Sequence, residues 1–169
     1  MAQVYLSLGS NINREHYIRS SLDGLAHRFG GLEISSVFES EAVGFTGDPF
    51  YNLVVGLQTE LTLDGLFQFL RETEHAHDRC RQAVKFSART LDIDILTYDD
   101  YVGPFVGGEL PRGEITRNAF VLWPLAEIAG SVRHPALGLS YAQLWADFDQ
   151  RSQSLWPVSF VWQGRELRR

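Results

Sequence analysis

Asp92 and Asp94 stand two residues apart in Arg89-Thr90-Leu91-Asp92-Ile93-Asp94-Ile95-Leu96. Side chains of a strand alternate with period two, so in an extended stretch both carboxylates point one way while Leu91, Ile93 and Ile95 point the other. One face packs and the other carries negative charge. Two carboxylates side by side repel unless a cation sits between them, and a hard divalent cation with bound phosphates is the usual resolution. Just upstream, Arg79, Arg81, Lys85 and Arg89 fall in one short, irregular stretch of a chain whose formal net charge is −6. Such a run can be no more than a solvated loop. Because it leads straight into the two aspartates, it also suits a polyphosphate, whose oxygens guanidinium groups bond in pairs.

Those groups need rigid neighbours. Residues 3–8 alternate and are rich in Val, Tyr and Leu, which reads as a strand broken by Gly9-Ser10-Asn11. Ile18, Leu22, Leu25, Ala26 and Phe29 recur at spacings of three and four, the stripe of an amphipathic helix over 15–29, and Gly30-Gly31 stops it. Residues 32–40 return to strand character and 41–49, with two Gly and a Pro, form a loop. Residues 50–59 read as a buried strand with one polar intruder, Asn52, whose amide is equally suited to a loop backbone or a ligand. Thr62 starts a second helix with Leu63, Leu66, Phe67 and Leu70 inward. After the aspartate strand comes a Gly-rich connection over 102–108. Asn118 is placed to cap a helix over 119–128, with Pro124 tolerable near its first turn or at a kink. A short helix over 140–148 and an added strand at 160–162 complete the chain. Strand, helix, strand, strand, helix, strand is the βαββαβ order of ferredoxin-like folds. The fold class expected is α+β, that core extended into a layered α/β/α sandwich, one domain over 1–169.

Composition narrows the function. The acidic balance argues against a nucleic-acid partner. No apolar run approaches the roughly 20 residues of a membrane span, and the first residues lack the pattern of a secretory signal. No membrane partner is expected, and the cytoplasm is the expected compartment. The single Cys80 cannot form an internal disulfide, which agrees with a reducing environment.

Taken in order, Tyr5-Leu6-Ser7-Leu8-Gly9-Ser10-Asn11, Phe50-Tyr51-Asn52, the two-aspartate strand and Ala119-Phe120-Val121-Leu122-Trp123-Pro124-Leu125 resemble the 6-hydroxymethyl-7,8-dihydropterin pyrophosphokinase family. The resemblance spans about 4–144 and leaves a C-terminal extension over 149–169. It implies transfer of the β,γ-pyrophosphoryl group of ATP to the pterin hydroxymethyl group, releasing AMP, in folate synthesis. It assigns Asp92 and Asp94 to two Mg²⁺ ions bound with ATP, and Asp92 also to the pterin. Arg79 and Arg89 join the aspartates in catalysis. Glu74, Arg79, Arg81, Arg89, Ile95, Arg112 and Arg117 are the nucleotide side; Ser40, Val43, Gly44, Phe50, Asn52, Phe86 and Phe120 are the pterin side, with the aromatic rings stacking and Asn52 reading the ring edge. A monomer is expected.

Some positions depart from the family pattern. Arg112 stands where an imidazole is common, Asn118 where an arginine precedes the Ala-Phe pair, Phe50 in place of a tyrosine, Phe86 in place of a tryptophan, and Ser87-Ala88 in place of Gly-Pro. The altered 112–118 region motivates a rival reading, a non-catalytic pterin or nucleotide-binding paralog. A metal-dependent phosphohydrolase is weaker, since such sites need further ligands. His75 and His77 do not share a helix face and read as solvated, and Gly9-Ser10-Asn11 lacks the lysine of a phosphate loop.

Overall fold

Strand β1 (Ala2–Ser10) is buried along almost all its length and runs between two other strands, β4 (Phe50–Thr59) and β5 (Asp92–Tyr98), antiparallel to each. In this computed structural model residues 1–41, 47–78 and 90–168 are described. The remaining elements are α1 (Arg14–Phe29), β2 (Glu33–Ile34), β3 (Val37–Ser40), α2 (Leu63–Ala76), the hairpin β6 (Gly103–Phe105) and β7 (Gly108–Leu110), a 3-10 helix (Gly113–Thr116), α3 (Ala119–Ala129), α4 (Tyr141–Asp147), β8 (Leu155–Val158), β9 (Val161–Trp162) and β10 (Arg165–Glu166). The main sheet has the order β5-β1-β4-β3-β8, with β2 also on β4. Its first four members give the ferredoxin-like βαββαβ arrangement, as expected.

Alternation sorts the strands into two cores. Val4, Leu6, Leu8, Leu53, Val55, Leu57, Ile93 and Ile95 meet Ile18, Leu22 and Leu25 of α1 and Leu66 and Leu70 of α2. From the other face Tyr5, Val54 and Leu96 meet Val121, Leu122 and Leu125 of α3 and Tyr141 of α4. Helices thus cover both faces. The stripe read for α1 is the one it buries, and Thr62 caps α2 by accepting from the Gly65 N–H at 3.1 Å.

Several details differ from expectation. The stretch 32–40 is two strands, because Ser35 and Ser36 leave the regular ladder: Ser35 Oγ accepts from the Val54 N–H at 2.9 Å. Ser36 donates through its N–H and hydroxyl to Glu127 of α3 at 2.5 and 2.8 Å. Short hydroxyl side chains compete with strand bonding in this way. Strand β1 runs through Gly9 to Ser10 instead of ending at Leu8. The strand added to the main sheet is β8, paired with β3; residues 161–162 form a strand, but in a separate hairpin with β10. That hairpin is tied to α1 by Trp162, whose indole N–H donates to Asp23 at 2.9 Å. Asn118 occupies the cap position of α3 without capping it; its Nδ2 donates to Glu114 Oε2 at 3.0 Å. His77 ends α2 with its ring between the Thr73 carbonyl and Ser20 Oγ, at 2.7 and 2.9 Å, so it is engaged and not simply solvated.

Candidate active site

A row of residues crosses the open end of the sheet on the α3 side. Asp92 of β5 pairs with Gly9 of β1, Gly9 with Asn52 of β4, and Asn52 with Phe38 of β3. Residues paired across antiparallel strands share a face, so Asp92 and Asn52 flank the one position in the row that has no side chain. That absence is required. A Cβ on Gly9 would sit 2.9 Å from Asn52 Oδ1. The Asn52 amide is held from its other side, where Nδ2 donates to Ser40 Oγ at 3.1 Å. Its partner is therefore a side chain of the neighbouring strand. Phe50, two residues before Asn52 on the same face, pairs with Ser40.

Asp94 lies one pleat further in, opposite Ser7. Burial, and then the adjacent Asp92 carboxylate, push its carboxyl up to about 7; Glu114 and Glu74 act in the same direction and Arg112 opposes them. A carboxylate raised by a like charge is one that gains from a cation placed between the two. Arg112 partly meets that need. Its Nη2 is 3.5 Å from Asp94 Oδ2 and 2.6 Å from Glu114 Oε1, and its own N–H donates to the Leu96 carbonyl at 2.9 Å, fixing it beside β5. Two oxygen-only ligands on a rigid strand fit a hard ion such as Mg²⁺, which normally keeps water and phosphate oxygens as its other ligands. Among the described residues no group of three or more His, Cys, Asp or Glu side chains is placed to hold a metal.

Glu74, expected near the nucleotide, has its side chain only 1 % exposed. One oxygen pairs with Arg71 and the other accepts from the Ile93 N–H at 2.7 Å. Ile93 sits between the two aspartates, so Glu74 of α2 grips the strand that carries them. Ile95 turns its side chain into the α1–α2 core, which leaves its main chain for any ligand. Phe120 lies in the first turn of α3, partly buried against the second core, and Pro124 has no N–H to offer its carbonyl. Arg117 is exposed and folds its guanidinium over Gly113. Val43, Gly44, Arg79, Cys80, Arg81, Lys85, Phe86, Ser87, Ala88 and Arg89 lie outside the described residues. Sequence reasoning missed Glu114, which joins Arg112 to Asn118, although its spacing of four from Asn118 is a helical-turn signal. It also read Gly9 only as a turn.

The family model for 7,8-dihydro-6-hydroxymethylpterin-pyrophosphokinase matches residues 5–130. The chain belongs to this family. A 2-amino-4-hydroxy-6-hydroxymethyldihydropteridine pyrophosphokinase of Aquifex aeolicus is 35% identical over 137 residues, covering 80% of this chain and 85% of the relative. The enzyme of the same description from Bacillus subtilis is 31% identical over 157 residues, covering 90% and 89%. Among solved structures, a Plasmodium falciparum HPPK-DHPS triple mutant superimposes with a TM-score of 0.75 at 13% identity over 98% of this chain. The wild-type protein gives 0.72 at the same identity. The present chain spans 48% of those longer chains, and the likeness to them is one of fold. The pyrophosphokinase family match includes the whole row from Asp92 to Phe38 and both residues of the acidic strand face.

Proposed function

We propose that this chain transfers the β,γ-pyrophosphoryl group of ATP to the hydroxymethyl oxygen of 6-hydroxymethyl-7,8-dihydropterin, with AMP as the leaving group, in folate synthesis. The observation that carries the reading is the row Asp92–Gly9–Asn52, which sets a cation-seeking carboxylate and a ring-reading amide on either side of an open position. In the reaction the acceptor oxygen bonds the β-phosphorus while the bond from that phosphorus to the α-phosphate oxygen breaks, and the hydroxyl proton is lost. Two Mg²⁺ ions held with ATP by Asp92 and Asp94 would neutralise phosphate charge and polarise the phosphorus–oxygen bonds. The chain's own groups do the positioning, which supplies much of the acceleration in phosphoryl chemistry. Glu74 fixes the strand bearing both carboxylates. Asn52, oriented by Ser40, bonds the edge of the pterin, and Phe50 and Phe120 offer it aromatic faces. Asp92 touches the hydroxymethyl end.

On the nucleotide side, Arg79, Arg81, Arg89, Arg112 and Arg117 meet the phosphates, and Ile95 contributes main chain; Val43, Gly44 and Phe86 close over the pterin. Arg112 would exchange its contact with Asp94 for phosphate as the nucleotide arrives. The protein works as a monomeric cytoplasmic domain over 1–169. The test is product identity: purified protein given ATP, Mg²⁺ and 6-hydroxymethyl-7,8-dihydropterin releases AMP. Asp94→Asn lowers turnover by at least about a hundredfold, the scale of losing one charge-stabilising group, with an unchanged far-ultraviolet spectrum. ADP as product, or near-normal turnover by that variant, refutes the reading.

A further inference from the structure

The helix that carries Phe120 is capped from outside its own neighbourhood. The first turn of a helix leaves N–H groups with no partner inside it, and a side chain just before the helix normally supplies one. Asn118 does not; its Nδ2 donates to Glu114 Oε2 at 3.0 Å and its side chain accepts from no N–H of the first turn. The group that does is Gln153, from the C-terminal extension: its Oε1 accepts from the Ala119 N–H at 2.7 Å and its Nε2 donates to the Arg117 carbonyl at 2.8 Å. One amide therefore brackets the residue pair on either side of Asn118, immediately before Phe120.

Gln153 is itself held in place. Trp145 of α4 stacks on Trp123 of α3 with centroids 5.2 Å apart, and Phe148 stacks on Trp145 at 5.6 Å. A turn follows, in which Ser152 donates through its N–H and its hydroxyl to the Asp149 carbonyl at 3.0 and 2.6 Å. Two residues after Gln153, Leu155 pairs with Ser40, the side chain that orients Asn52. The extension thus touches both walls of the acceptor site, the start of α3 through Gln153 and the end of β3 through Leu155. It lies beyond the residues matched by the family model.

We infer that Gln153 is a positioning residue for acceptor binding, setting the first turn of α3 so that Phe120 presents its ring to the pterin. This rests on the reading of Phe120 as a stacking residue. Four variants of the chain separate the two: Gln153→Ala, Gln153→Glu, Phe120→Ala and the double variant Gln153→Ala with Phe120→Ala. KM for the pterin, KM for ATP and kcat are measured on each. Gln153→Ala raises pterin KM roughly fivefold, the size expected of one net hydrogen bond, and leaves ATP KM unchanged. Gln153→Glu restores only part of the loss, since a carboxylate accepts the same N–H and suits the positive end of a helix but cannot donate to the Arg117 carbonyl. In the Phe120→Ala background, Gln153→Ala adds nothing further. Unchanged pterin KM in Gln153→Ala, with Phe120→Ala impaired, overturns the role of Gln153 alone. Additive losses, or equal increases in both KM values, reduce it to a structural contact and overturn it as well. An unimpaired Phe120→Ala removes the stacking reading, and this inference with it.

Discussion

Asp94 is where the charge conflict of the site is concentrated. Its carboxyl is pushed up to about 7, first by burial and second by the Asp92 carboxylate beside it. Because the folded value lies above the ordinary carboxylate value, the group favours the folded state fully below about pH 4. That contribution is lost as the pH rises through about 7. Arg112 pulls the other way, so Arg112→Ala should move the Asp94 titration to higher pH; carboxyl-carbon NMR reads this directly, and an unmoved or lowered titration contradicts the placement of the guanidinium. Were Asp94 to hold Mg²⁺ with the nucleotide as proposed, binding would require the ionised form, so affinity should fall as the pH drops below 7, with proton release measurable by calorimetry in buffers of different ionisation heat. The aspartate pair was legible in the sequence because strand alternation is a local rule. The Arg112–Glu114 bridge was not, because its meeting with Asp94 depends on how the chain returns to β5 after the β6–β7 hairpin.

At the scale of elements, β1 owes its role to a missing side chain. Gly9→Ala would place a methyl group 2.9 Å from Asn52 Oδ1. The amide must then turn away from Ser40, and pterin KM should rise about tenfold with ATP KM nearly unchanged, given one lost polar contact plus displacement; equal effects on both substrates would argue against this account. The connection between α3 and α4 turns on His134, whose Nδ1 accepts from the N–H groups of Ala136 and Leu137 at 3.2 and 3.1 Å. Burial lowers the pKa of this imidazole. Protonation would end both bonds, so the folded state should lose stability as the pH falls through the unfolded imidazole value of about 6.5. Denaturant titrations at pH 7.5 and 5.5 test it: the loss should shrink in His134→Ala, and an identical loss in that variant assigns the effect elsewhere. Helices α1 and α2 were legible because their apolar spacing of three and four is strong. The break at Ser35–Ser36 and strand β8 were not. A pair of serines and a four-residue strand containing Pro157 carry almost no period, and both are defined by partners far away in sequence, Val54, Glu127 and β3.

Over the whole molecule, one sheet separates two cores, and the proposed site lies on its α3 side. The first core is built on the βαββαβ unit, whose element order was readable from the chain alone, and is completed by Phe160, Trp162 and Leu167 of the extension. The second needs α3 and α4, and the sequence showed those helices without showing what holds α3 at its start. The crossing row has a further consequence. In an antiparallel sheet, a residue is at the closer spacing to one neighbour and at the wider spacing to the other, so from Asp92 through Gly9 to Asn52 the backbone span is about 10 Å whatever the side chains. The sheet is a ruler. With Asn52 and Asp92 in the roles proposed for them, it would gauge the reach from ring edge to reacting oxygen by hydrogen-bonded backbone, which cannot stretch as a loop can. An acceptor lengthened by one methylene between ring and hydroxyl should therefore still bind but turn over far more slowly, a loss in kcat that single-turnover measurements would show; full turnover of the longer alcohol would mean that the gauge lies in the loops.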